Sequence, residues 1–197
     1  MANSSDSFTN SSGVNWLSMV NYADVWTAPP YDNDERKGMS SRFPYYTDEQ
    51  GRSNNCANFA SQAVYAAGLP TDFTWYWGFH PTVGYTSSKS WRIAEGHFRY
   101  MYEKSNSYYI IGDEWKATMG SFLYFDRNYY DSKEKGEIPL IDHVMIVVGV
   151  ASTSNGPIPI IDQKSGNRHQ LPLTQSKAIL EKDFPNAVWY ALQFKND

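Results

Sequence analysis

Trp16, Leu17, Val20, Ala23 and Trp26 recur at helical spacing between Val14 and Thr27, and Pro29-Pro30 ends the pattern, which predicts a first helix there. Tyr31 to Asn55 is polar and aromatic without a period and reads as a long loop. Cys56 to Ala67 is rich in Ala and closed by Gly68 and Pro70. Ser53, Asn54 and Asn55 precede it, each able to cap a helix start, so a second helix is predicted with the cysteine in its first turn. Thr71 to Ser90 mixes aromatics with Gly, Pro and Ser and reads as irregular. Helical period returns from Trp91 to Glu103 through Ala94, Phe98, Met101 and Tyr102. Beyond this the pattern shortens to β-branched and aromatic runs at 120–126, 142–150, 158–162 and 187–194. One helix intervenes at 174–183, with Thr174 as its cap. Helices first and strands afterwards predict an α+β domain with an antiparallel sheet.

Composition narrows this to one folded unit, residues 13–197, behind a disordered polar tail at 1–12. The chain has 197 residues, 16% aromatic and 19% charged, too aromatic and too sparsely charged for disorder. A net charge of −4 with scattered basic residues gives no footprint for nucleic acid. The longest apolar run, around 144–151, is far below the roughly 20 residues of a membrane span. No secretory leader is visible, so the expected location is secreted or cell-wall associated if a leader was removed, and cytoplasmic otherwise. The single cysteine excludes an internal disulfide and any multi-thiolate metal centre.

No phosphate-binding Gly-Lys-Ser loop, dinucleotide-binding glycine pattern, HExxH or GxSxG occurs. Asp32 and Asp34 begin like a calcium loop, but Arg36 and Lys37 follow where a ligand and a turn glycine belong. Neither a metal nor another cofactor is expected. What remains is Cys56 with His80, His97, His143 and His169. Unpaired N–H groups at a helix start favour a thiolate, which suits Cys56 to nucleophilic catalysis; the alternative is a small buried apolar residue. His143 opens an apolar strand, placing its ring at the rim of a sheet where a helix start can meet it. The other three histidines read as structural or solvated.

The segment Asn54-Asn55-Cys56-Ala57-Asn58-Phe59-Ala60-Ser61-Gln62-Ala63, followed by Ala66-Ala67-Gly68-Leu69, resembles the nucleophile helix of the bacterial putative amidase domain family. Ile141 to Gly149, after Gly120 to Phe125, is similar to the strand pair that supplies the histidine there. The resemblance implies a papain-like fold related to NlpC-type and CHAP-type cell-wall amidases, with a catalytic cysteine at a helix start packed on an antiparallel sheet.

A third group should orient the imidazole. Asp162, at the end of the next strand, is the expected residue, with Gln163 and Asn167 as alternatives. Asn58 and Gln62 lie on the helix face away from Cys56, where they would be wet or else buried and bonded to the first helix or the long loop. The backbone N–H of Cys56 is the expected oxyanion donor, helped from the Asn54 and Asn55 region. Trp75 and Trp77, with Tyr76 and Phe79, form either a substrate platform or ordinary core. The expected activity is cysteine-dependent amide hydrolysis through a thioester, on a peptide or peptidoglycan-like substrate. Acyl transfer by the same dyad and a non-catalytic binding module are the alternatives.

Overall fold

The computed structural model describes residues 8–29, 35–82, 84–127 and 140–196, the side chains of residues 79, 80, 84 and 85 aside. Asp32, Asp34, the first seven residues of the predicted tail, and the side chains of His80 and Phe79 therefore lie outside the described residues. The last five residues of that tail belong to the fold. Phe8 meets the Trp16 ring edge-on at 5.1 Å, and Asn10 Oδ1 accepts the N–H groups of Ser12 and Val14 at 3.1 Å each.

Among the described residues the chain forms five α-helices and eight strands. Helix α1 (Trp16–Thr27) starts at Asn15, whose Oδ1 accepts from Ser18 N at 2.9 Å. Helix α2 (Cys56–Ala66) is buried continuously from Cys56 to Val64. Its small alanines let α1 and the sheet approach closely, which is why a helix with one polar face can lie at the centre of a domain. Strands β1 (Trp77–His80) and β2 (Gly84–Ser87) make a hairpin inside the stretch predicted to be irregular. Helices α3 (Lys89–Arg92) and α4 (Ala94–Glu103) divide the single helix expected there.

Strands β3 (Tyr108–Ile111), β4 (Phe122–Asp126), β5 (His143–Thr153), β6 (Gly156–Gln163), β7 (Arg168–Pro172) and β8 (Val188–Phe194) form one antiparallel sheet in the order β3-β8-β4-β5-β6-β7. Helix α5 (Leu173–Asp183) lies between β7 and β8. Its N-cap position is Pro172 without a side-chain bond, so Thr174 is inside the helix and is not its cap. The central strands of the sheet are buried on both faces. Phe122, Tyr124, Val144, Ile146 and Val148 join the core with α1, α2 and α4, whereas Leu123, Phe125, Met145 and Val147 pack with Leu173 of α5. Among the described residues no helix is long and apolar enough to cross a membrane.

Two local irregularities position the site. Gly120, at φ +83°, turns the chain into β4 so close to α1 that a Cβ there would lie 2.5 Å from Trp16 Cβ. The β5–β6 ladder carries a bulge: Val147 pairs with Ile161 but Gly149 with Ile160, leaving Val148 as the extra residue.

Candidate active site

The first residue of α2, the first of β5 and the last of β6 meet at one end of the sheet. Cys56, His143 and Gln163 all border a cavity of about 640 Å³ there, which Phe184, just past α5, reaches from the other face.

Cys56 is 5% exposed. Burial pushes its thiol pKa up. The N–H groups of Val144, Ala57 and Cys56 itself, and the Arg127 guanidinium, act in the opposite direction without overcoming burial. The helix start thus supplies the donors expected of it, but the resting sulfur is a thiol. His143 pairs with Phe125 across the β4–β5 ladder. The residue keeps some exposed surface while its Nε2 is enclosed without a hydrogen-bond partner. Burial pulls its pKa down to about 4; Gln163 and Glu35 favour the protonated ring, and Arg127 and Arg168 oppose it. Arg127 is fixed by Asp142, through a 3.2 Å ion pair and a 2.8 Å bond from its backbone N–H.

Gln163 is the group that the fold brings behind the imidazole. Its Nε2 donates to Gly166 O at 3.1 Å, while Oε1 is enclosed without an aligned donor, near the ring whose protonated form it favours. Asp162, the residue expected in this place, points elsewhere. It pairs with Ile146, whose side chain belongs to the helix-facing layer, so its carboxylate turns towards α1. There its oxygens lie 2.9 Å from Thr27 Oγ1 and 2.6 Å from Gln170 N, with His169 Nδ1 at 3.7 Å. Burial and the neighbouring Asp24 raise its pKa. Asp24, Asp162 and His169 are the only group among the described residues with ligand atoms at metal-site spacing, and Asp162 and His169 already contact Thr27. Asn167 accepts from Lys164 Nζ at 2.6 Å and donates to Thr27 O at 3.1 Å, which ties the β6–β7 turn to the end of α1.

The polar residues of the cysteine helix are structural ties. Asn58 is fully buried, donating to Pro44 O (2.8 Å) and Asn55 Oδ1 (3.0 Å) and accepting from Trp91 Nε1 (2.8 Å). Gln62 Oε1 accepts from Tyr22 of α1 at 2.8 Å, and Ser61 donates to Trp91 O at 2.8 Å. Asn55 neither caps α2 with its side chain nor points at the sulfur. Its amide is held by Tyr46 N, Tyr46 O and Ser53 Oγ, so it has no donor to offer an oxyanion. Its backbone N–H donates to Ser165 Oγ at 2.8 Å and fastens the helix start to the β6–β7 turn. Asn54, exposed at the cavity wall, is the nearer candidate.

Trp75 and Trp77 do not form a substrate platform. Trp75 is fully buried, 4.7 Å from the Trp91 ring and stacked on Tyr100, and Trp77 packs against Phe43 at 4.5 Å. Neither borders the cavity. Sequence reasoning missed Arg127 and Glu35. The first follows the last residue of a predicted strand, a position that always opens onto a sheet's rim; the second lies in a loop that has no pattern.

A mixed α+β domain with an antiparallel sheet and a thiol–imidazole pocket at its rim has the parts of a hydrolase. The chain belongs to the putative amidase domain family, whose model matches residues 13–185, and amidase-type hydrolysis of a C–N bond is what membership carries. Comparison with curated proteins and with solved structures finds no match.

Proposed function

We propose that the chain is a papain-like cysteine amidohydrolase in which Cys56 is the nucleophile, His143 the general base and acid, and Gln163 the group that orients the imidazole. The observation that carries this reading is the convergence of thiol, imidazole and carboxamide on one cavity at the start of α2. At rest both reacting groups are neutral. His143 takes the Sγ proton through the ring nitrogen not enclosed against the fold as sulfur bonds to the carbonyl carbon. The tetrahedral oxyanion is met by the Cys56 backbone N–H, with the Asn54 side chain as second donor. The C–N bond then breaks, the amine leaves with the imidazolium proton, and a thioester remains. Water, deprotonated by His143, attacks the thioester and restores the thiol.

Peptide links of bacterial cell walls are the proposed substrate, by analogy with the architecture alone, and a secreted or wall-associated location accompanies it. Digestion of purified peptidoglycan and of a panel of small amides tests both parts. Wild type is expected to release new amino groups, while Cys56→Ala and His143→Ala each lose at least about a thousandfold in rate. Retained turnover in either variant overturns the assignment.

A further inference from the structure

Arg42, Lys89 and Arg92 lie apart in the sequence, but the fold gathers them on one surface. Residues 36–47 and 73–93 contain five Lys and Arg and no Asp or Glu, in a chain whose net charge is −4. The two segments pack on each other. Phe43 meets the Trp77 ring at 4.5 Å and the Trp91 ring at 5.8 Å, and Tyr46 Oη shares a 2.5 Å hydrogen bond with Ser87 Oγ. Arg42, Lys89 and Arg92 are all exposed. Among the described residues none of the three pairs with a carboxylate, unlike Arg52, Arg99, Arg127 and Lys177. The two arginines are mounted on rings instead. The Arg42 guanidinium lies over Trp77 (5.2 Å), Tyr65 (5.5 Å) and Phe43 (5.7 Å), and that of Arg92 over Tyr46 (5.8 Å). Stacking covers the face of a guanidinium and leaves its N–H edge for an oxyanion. None of the three cations borders the catalytic cavity, yet the surface adjoins it through Tyr46, whose backbone N–H and C=O are both held by the amide of Asn55, the residue before Cys56.

We infer that Arg42, Lys89 and Arg92 form a docking surface for a linear phosphodiester polymer, which holds the protein with its cavity beside the strand. Separate cations outside any shared recess suit charges repeated along a strand better than one small anion. A guanidinium edge takes two oxygens of one phosphate, and the ammonium of Lys89 adds a point charge. The rings under Arg42 are spent on that cation and on the core, so they offer no face to a nucleobase. The units between the phosphates are therefore small and polar, as in a polyol phosphate. With so much of its basic charge here, the rest of the acidic chain repels a polyanion and confines it to this side. The surface goes beyond the amidohydrolase reading and does not depend on it.

Fluorescence anisotropy of end-labelled poly(glycerol phosphate), titrated with the full chain, tests this. Saturable binding is expected at about 50 mM salt, with log K falling by about 2 for each tenfold rise in salt, as three displaced phosphate counterions require. Replacing Arg42, Lys89 and Arg92 together by Gln should weaken binding at least about tenfold. The double variant Lys89→Gln/Arg92→Gln leaves the rings under Arg42 covered and should weaken it at least about threefold; thermal melting checks both folds. The same loss of charge elsewhere, in Lys104→Gln/Lys116→Gln/Lys182→Gln, should change affinity by less than about twofold. Oligodeoxythymidylate and polyglutamate of equal charge should bind more weakly than the polyol phosphate. No saturable binding, undiminished binding by a folded double variant, or an equal loss in the control triple overturns the inference. So does a nucleic acid or acidic peptide that binds as tightly as the polyol phosphate. None of these readouts involves turnover, so a failure here and a failure of the Cys56 and His143 assignment are separate results.

Discussion

His143 is the residue whose environment has the most direct kinetic consequence. Burial sets its pKa near 4, and as the base of the proposed mechanism it must be unprotonated to take the thiol proton. The kcat/KM profile is therefore expected to hold as pH falls through 6 and to drop only near pH 4, where an exposed histidine would already have failed at about 6.5. Gln163 favours the protonated ring, so Gln163→Ala should move that limb still lower and reduce kcat by roughly ten- to a hundredfold through misorientation. Asp162→Asn should leave both the limb and kcat within about threefold, because its carboxylate serves Thr27 and Gln170 on the other face. A pH–rate series on the three proteins decides which of the two neighbours serves the ring. Cys56 and His143 are legible from the chain because each opens an element, and element starts show in the pattern. The choice between residues 162 and 163 depends on a strand's face, which composition does not reveal.

At the scale of elements, α1, α2 and α5 lie within a residue or two of their predicted spans, since each has a long apolar period and a clear stop. The elements that escaped are short or polar. Strands β1 and β2 have four residues each, with Gly78 in one and Gly84 in the other, too few for an alternation to register. Strand β7, Arg168–Pro172, is an edge whose Arg, His, Gln and Pro blunt further pairing, and the same composition leaves no apolar run that would predict it. Helix α2 shows the converse, polar residues that pattern alone could leave in water but that the fold buries as ties. Asn58→Ala would strand Trp91 Nε1 and Pro44 O in the core, and a loss of about 3 kcal/mol is expected in urea denaturation. The loop carrying Pro44 should then become the first site of limited proteolysis.

For the molecule as a whole, acid sensitivity should be set in part by a histidine that does not border the cavity. His97 is fully buried, bonded to Tyr124 Oη at 2.8 Å, and its pKa is held down at about 3 by burial. The unfolded chain protonates it near 6.5, so between those values the unfolded state binds the extra proton. Stability is then lost as pH falls, at about 1.4 kcal/mol per unit. Asp162, with its pKa raised, contributes the opposite sign, and does so equally in a variant at residue 97. The dependence of unfolding free energy on pH between 6.5 and 4.5 should accordingly be shallower in His97→Phe by about that slope; an unchanged slope would show that His97 is protonated in the native protein. The bulge at Val148 has a consequence for the chemistry at the other end of the same ladder. Continued unbroken from the hairpin turn, where Ser152 pairs with Pro157 and Gly149 with Ile160, the register would set Asp162 opposite Val147 and bring Lys164, in place of Gln163, opposite Met145, the next residue on the face that His143 shares. An ammonium would then stand near the ring and oppose its protonation. One unpaired residue in mid-strand keeps a neutral carboxamide there, which in the proposed mechanism leaves the imidazole able to take the thiol proton when an amide arrives.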